Sequence, residues 1–309
     1  MALVALFLRL AACGESFSAA ENSDGGTGGA GGSTSDDGSA ASQGDSAAGS
    51  GGSGGSGGTG GSSGATATDS GMSGDSDATD SDVAPEIPTD GLLLWLRADR
   101  GVTEESGAVA IWVDQSGNDL HATQTASNVR PKLVRQAIGG HPSIEFDGAD
   151  DFMRLAPGFT DFSAGVSIFT VVQRAPTSAC NAVLELSNGS EIDDISLGEY
   201  NQALYYEVFN GWTGGGAVPT DTPLMLAVVH HTNLTLEMRQ NGQLAGEGST
   251  DLPITVLREQ NFVGRSLYAD CVVFPGQIGE VIIYARAVSD AELLSIEAYL
   301  RSRWACCSG

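Results

Sequence analysis

Phe274-Pro-Gly-Gln-Ile-Gly-Glu-Val-Ile-Ile-Tyr-Ala-Arg-Ala-Val-Ser-Asp-Ala-Glu292 is the stretch whose reading decides the fold. Residues 277–284 have the composition of a strand, with Gly279, Val281 and Ile283 on one face. Ile278, Ile282 and Tyr284 make the other face apolar, and the charged Glu280 interrupts it. The chain then carries helix-start signals. Ser289 can cap the first turn, and Glu292 three residues later can return the favour to the cap's own N–H. Val288 and Leu293 have the spacing of a hydrophobic staple. Leu293, Ile296, Leu300 and Trp304 recur at helical spacing, so one apolar stripe is available to lie on a sheet.

Upstream, from Gly91 onward, short runs of β-branched and aromatic residues alternate with turn residues, the pattern of an all-β sandwich. Twelve strands are expected: 92–97, 109–113, 143–146, 152–155, 166–173, 181–187, 203–209, 224–231, 233–240, 243–246, 261–263 and 277–284. Asn241-Gly242 between two of them is a hairpin signal, since both residues tolerate the positive φ of a type I′ turn.

The closing stretch resembles the end of bacterial laminin-G-like domains, members of the concanavalin A-like lectin/glucanase group. Gly91-Leu-Leu-Leu-Trp-Leu-Arg-Ala-Asp99, Trp112-Val-Asp-Gln-Ser-Gly-Asn-Asp-Leu-His-Ala122 and Ile144-Glu-Phe-Asp-Gly-Ala-Asp-Asp-Phe152 resemble the same family's opening, in the family's order. The resemblance implies an antiparallel jelly-roll β-sandwich over residues 90–305 with one C-terminal amphipathic helix. It implies function only weakly, because such folds host lectins, hydrolases and adhesion modules alike.

Composition narrows the partners. Lys and Arg total 14 against 39 Asp and Glu, a formal charge of −25. Such a chain repels nucleic acid and anionic lipid surfaces, leaving neutral sugars, cations and basic surfaces. Residues 1–12 are apolar apart from Arg9 and end in Leu10-Ala-Ala-Cys13, which resembles a bacterial lipobox. That likeness implies a signal peptide (residues 1–13) and lipidation of Cys13. With Gly at position 14 the expected location is the outer membrane or cell surface. Residues 22–82 hold 20 Gly and 15 Ser among 61, with no aromatic, Lys or Arg. Residues 14–89 therefore read as a disordered Gly/Ser/Asp-rich tether.

Four constellations bear on chemistry. Glu191 and Asp193 match the first two positions of a Glu-x-Asp-x-Glu glucanase strand, but the third falls on Ile195 or Ser196. The acid/base of a retaining pair is thus missing, so no catalytic residue is assigned and the incomplete carboxylate set leans against an enzyme without closing the question. Two acidic, glycine-containing loops, with Asp114, Asn118 and Asp119 in one and Asp147, Asp150 and Asp151 in the other, could supply oxygens to Ca²⁺, the cofactor the resemblance suggests. The competing reading is simple Asx-turn chemistry. Tyr200, Tyr205, Tyr206, Phe209 and Trp212 crowd thirteen residues before Gly214-Gly-Gly216, so rings in excess of one face either line a sugar-binding groove or, on the competing reading, pack the core on one face and lie beneath loops on the other. Tyr200, Tyr205, Tyr206 and Trp212 are the candidate ligand contacts. In an exported domain Cys180 and Cys271 are natural disulfide partners, whereas Cys306 and Cys307 read as a frayed end with one or both thiols free. His230 and His231 point to opposite faces and read as structural. The expectation is a surface-tethered, non-catalytic module for a glycan or another extracellular partner. The alternatives are a glycoside hydrolase or a purely adhesive protein.

Overall fold

The computed structural model describes residues 87–307, except 178, 210, 270 and 306. In chain order the first strands are β1 (Leu92–Arg97), β2 (Val102–Glu105), β3 (Ala108–Trp112), β4 (Ala122–Thr123), β5 (Lys132–Val134) and β6 (Ser143–Asp147). There follow β7 (Met153–Leu155), β8 (Val166–Arg174), β9 (Cys180–Ser187), β10 (Ile195–Tyr200), β11 (Ala203–Val208) and β12 (Gly211–Ala217). The last are β13 (Leu224–His230), β14 (Thr235–Gln240), β15 (Gln243–Ser249), β16 (Gln260–Val263), β17 (Cys271–Val272) and β18 (Pro275–Tyr284), before helix α1 (Asp290–Trp304).

The strands form two sheets. The first runs β15-β14-β13-β8-β18-β6-β5, with β1 also on β18. The second runs β12-β11-β10-β9-β16-β7-β4-β3-β2, with β17 added in parallel to β9. Every other strand pair described is antiparallel, as expected of a sandwich.

Alternation sorts the side chains of the first sheet into two cores. Ile168, Val172, Leu226, Val228, Val281 and Ile283 face the second sheet and meet Leu184, Leu186, Leu197, Leu204 and Tyr206. Phe169, Val171, Met225, Val229, Ile282 and Tyr284 face the other way and are covered by Leu293, Ile296, Leu300 and Trp304 of α1. The helix begins as its sequence dictates: the Ser289 side chain accepts from the Glu292 amide and the Glu292 carboxylate accepts from the Ser289 amide.

One expectation for β18 changes. A bulge between Ile278 and Glu280 breaks the period of two, so Ile278 joins Val281 and Ile283 in the inter-sheet core. Gly279 and Glu280 then both lie toward the helix, where a Cβ on Gly279 would stand 2.5 Å from the Trp304 ring. Glu280, rather than interrupting an apolar face, is fully buried as an acceptor. It receives Trp95 Nε1 at 2.6 Å, Trp304 Nε1 at 2.7 Å and Tyr299 hydroxyl at 2.9 Å. Burial pushes its carboxyl up, and these three donors offset part of that rise.

The packed chain includes residues ahead of position 90. Ile87 is buried on the helix side, and the Pro88 carbonyl accepts from the Tyr284 hydroxyl. The Cys13 anchor and the tether up to residue 86 lie outside the described residues. Cys180 and Cys271 form the expected disulfide. The frayed-end reading of Cys307 does not hold: it is buried within the helix-side core and disulfide-bonded, its partner lying outside the described residues, as does Cys306.

Candidate functional site

The inward side chains of β9, β10 and β11 are apolar, so alternation turns the intervening residues outward. Strand register then places Glu185, Ser196, Glu207 and Trp212 side by side across β9, β10, β11 and β12. One row along, Gly198, Tyr205 and Gly214 are neighbours. Trp212 is 54% exposed, and its indole leans over Gly214, where a Cβ would lie 2.8 Å from the ring. A side chain at 214 would push the ring away, which gives this glycine a packing reason.

Of the five crowded rings, four of them candidate ligand contacts, the structure exposes three. Trp212, Phe209 (52%) and Tyr200 (40%) are open to solvent. Tyr205 faces outward but is covered, its hydroxyl 3.0 Å from Ser196 Oγ. Tyr206 is a correction: it points into the inter-sheet core, where its hydroxyl meets His230 Nδ1 at 3.3 Å. His230 Nε2 lies 3.1 Å from the Thr250 carbonyl, which can only accept, so Nε2 carries the proton and Nδ1 accepts from Tyr206. Burial holds the His230 imidazole below its ordinary value, consistent with this neutral, structural role.

The outward acids are covered by residues 265–269. The Leu267 amide donates to Glu185 Oε2 at 3.0 Å, and the Tyr268 hydroxyl donates to Glu207 Oε1 at 3.1 Å. Arg265 stacks over Phe152, and the Cys180–Cys271 bond ties the far end of this segment to β9. A cavity of about 450 Å³ opens between it and residues 148–152. Asp194, just before β10, is 1% exposed, and neither carboxylate oxygen accepts from another described residue. Burial first, then the charges of Glu207, Glu185 and Glu191, push its carboxyl up to about 7.

The strand-like spacing of Glu191 and Asp193 does not correspond to a strand, in keeping with the reading of the match as incomplete. Both take positive φ, 58° and 56°, in the turn between β9 and β10. Asp193 accepts from Asn188 Nδ2 at 3.0 Å. Glu199 is spent elsewhere too, paired with Arg174 Nε at 3.0 Å with both side chains buried.

The two acidic loops differ in their chemistry. Asp114 accepts from the amides of Trp95, Ser116 and Leu120, and Asn118 Nδ2 donates to the carbonyls of Leu92 and Leu93. Those bonds pin the loop to β1 in the manner of an Asx turn. Asp119 is exposed at a positive φ of 58°. Asp147, Asp150 and Asp151 instead bring carboxylate oxygens within 4.8 Å of one another. Burial raises Asp147, but the amides of Ala149, Asp150 and Asp151 outweigh it and hold its carboxyl below the usual range. Burial and then the Asp147 charge push Asp151 up to about 6.

No protein-family profile and no curated protein matches the chain. Similarity appears among solved structures. The Trypanosoma rangeli sialidase in complex with sialic acid is 13% identical with a TM-score of 0.49, over 70% of this chain and 34% of that one. Domain 4 of AbnA, a GH43 extracellular arabinanase from Geobacillus stearothermophilus, in complex with arabinotriose, is 16% identical with a TM-score of 0.46, over 67% and 98%. The binding domain of Paraclostridial Mosquitocidal Protein 1 is 10% identical with a TM-score of 0.47, over 69% and 53%. The chain thus spans about a third of the length of the sialidase structures it matches. At these identities and scores no residue's role is carried over from them.

Proposed function

We propose that this chain is a non-catalytic, laminin-G-like module that binds glycan on the outer face of its second sheet. In this reading it is held at the cell surface by a lipid on Cys13 and the tether behind it. The observation that carries the reading is Trp212: an indole more than half exposed, seated over Gly214 beside Glu207, with Phe209 exposed nearby. A sugar presents a C–H face that packs on such a ring and hydroxyls that bond to flanking polar groups. The acid content favours neutral or basic glycans over anionic ones.

Hydrolysis is the weaker reading on geometry. A retaining pair needs two carboxyls about 5 Å apart with access to the bond being cut. Glu199 is locked to Arg174, and Glu185 lies fully buried beneath residues 265–269. The test is a glycan-array screen of the purified protein, with reducing-sugar release measured on every polysaccharide bound. Running it with and without calcium asks whether Asp147, Asp150 and Asp151 hold a cation that shapes the face. Binding without release supports the proposal; release of reducing sugar refutes it.

A further inference from the structure

At the turn between β11 and β12 the outer face runs into a cavity of about 500 Å³. Phe209, Pro253 and Ile254 give it apolar walls, and Asp194, Asp251 and Arg258 give it charge. The two signs are not equally available. Arg258 is fully buried, and its guanidinium donates to four backbone carbonyls: Asp193 at 2.6 Å, Phe159 at 2.8 Å, Ile254 at 3.3 Å and Val256 at 3.4 Å. Four of its five N–H donors are thereby committed to the backbone. Asp194 is the opposite case, a buried carboxylate that has its own amide as a donor and none from another described residue. A buried carboxylate with so few donors is unfavourable and is rarely kept without a compensating partner. Asp251 adds a second carboxylate at the exposed mouth.

We propose that this cavity takes the ammonium group of an amino sugar. The ring carbons of that sugar pack on Phe209 and the neighbouring walls, and its N–H donors supply what Asp194 lacks. The inference rests on the glycan-binding reading and narrows it: the preferred glycan carries a free amino group, and N-acetylation, which removes charge and donors together, weakens binding. The groups around Asp194 agree in sign. Glu185 acts on it from β9, Glu191 from the preceding turn, Glu207 from β11 and the Tyr268 hydroxyl from the covering segment, with Arg258 the opposing charge among the described residues. Such a field attracts a cation and repels carboxylated sugars. With its carboxyl at about 7, Asp194 gains a proton on acidification and loses its hold on an ammonium.

The test is titration calorimetry on the full chain with three probes: a glucosamine tetramer, an N-acetylglucosamine tetramer and a lysine-containing tetrapeptide. The glucosamine tetramer should bind about tenfold tighter than the acetylated one at about pH 7.5 and lose about tenfold on going to about pH 5.5. Asp194→Asn should level the two sugars and flatten the pH dependence. It removes an unpartnered charge, so it should fold; Asp251→Asn, at the exposed mouth, gives a smaller effect of the same sign. Equal binding of both sugars by the wild type overturns the amino-sugar inference and leaves the glycan-binding reading standing. Binding of neither sugar overturns the amino-sugar inference, while the glycan-binding reading falls only if the wild type binds nothing on the array; Asp194-dependent binding of the tetrapeptide alone would assign the cavity to a peptide instead.

Discussion

Glu280→Gln should loosen the clamp between helix and sheet. In the native protein Oε1 accepts from Trp95 Nε1 and the Tyr299 hydroxyl, and Oε2 accepts from Trp304 Nε1. An amide keeps the shape but turns one acceptor into a donor. Whichever way it flips, its NH₂ faces at least one buried N–H. The less costly flip sets the NH₂ against Trp304, losing one charge-assisted bond and stranding an indole N–H, about 1.5–3 kcal/mol for each of the two effects. Relief from burying a carboxylate returns part of this, since burial already pushes the Glu280 carboxyl up. The net loss should be about 3 kcal/mol. For a folded region of this size that lowers Tm by about 6–12 °C. Thermal unfolding followed by near-ultraviolet circular dichroism reads it directly, because Trp95 and Trp304 both report. Trp304→Phe should cost at least about 1 kcal/mol less in the Glu280→Gln background than in the wild type. A Tm within about 2 °C of the wild type, or strictly additive costs, would refute the clamp.

Replacing both Cys180 and Cys271 by Ser opens a cross-link of sequence separation 91 and should cost about 4–5 kcal/mol in urea unfolding under oxidising conditions, with no difference from the wild type once both are reduced. Asp194 gives a pH signature. Its native carboxyl is raised to about 7, so between about pH 4 and 7 the folded protein holds a proton that the unfolded chain has released, and stability falls as pH rises through that window. Asp194→Asn should therefore be more stable than the wild type by roughly 2–4 kcal/mol above pH 7 and equal to it below pH 4, as chemical denaturation at the two ends will show. On the anchor proposal, Cys13→Ala should move the protein from the membrane fraction to the soluble one on cell fractionation.

The framework was readable where local chemistry and burial agree. The capping box at Ser289 and Glu292 and the Asn241-Gly242 turn appear as expected, the latter with φ of 51° and 79°. All twelve expected strands are present to within a few residues. Of the six strands not expected, three have a plain physical reason. β12 is Gly-rich and lies at a sheet edge, held by backbone pairing with β11 rather than by apolar alternation. β4 and β17 have two residues each, too few to show a period. The β18 bulge could not be read, because a period of two carries no mark of an inserted residue. In the site, the exposure of Trp212 beside Gly214 follows the crowding of rings seen in the sequence. The row of Glu185, Ser196, Glu207 and Trp212 does not, since it exists only through the register of four strands. Asp194 was overshadowed by Glu191 and Asp193, whose spacing mimics a strand that the chain does not form there.

Glycan binding on the outer face around Trp212 is what the proposed function stands on. The measurement that tests it most directly is the array signal of Trp212→Ala beside the wild type, with Leu244→Ala as control, an equally exposed apolar residue on the edge strand of the other sheet. The wild type should bind a defined set of glycans. Trp212→Ala should lose at least about tenfold in affinity for all of them, roughly 1.4 kcal/mol for one lost stacking ring, while Leu244→Ala binds as the wild type does. Undiminished binding by Trp212→Ala, or no glycan bound by the wild type, would contradict it.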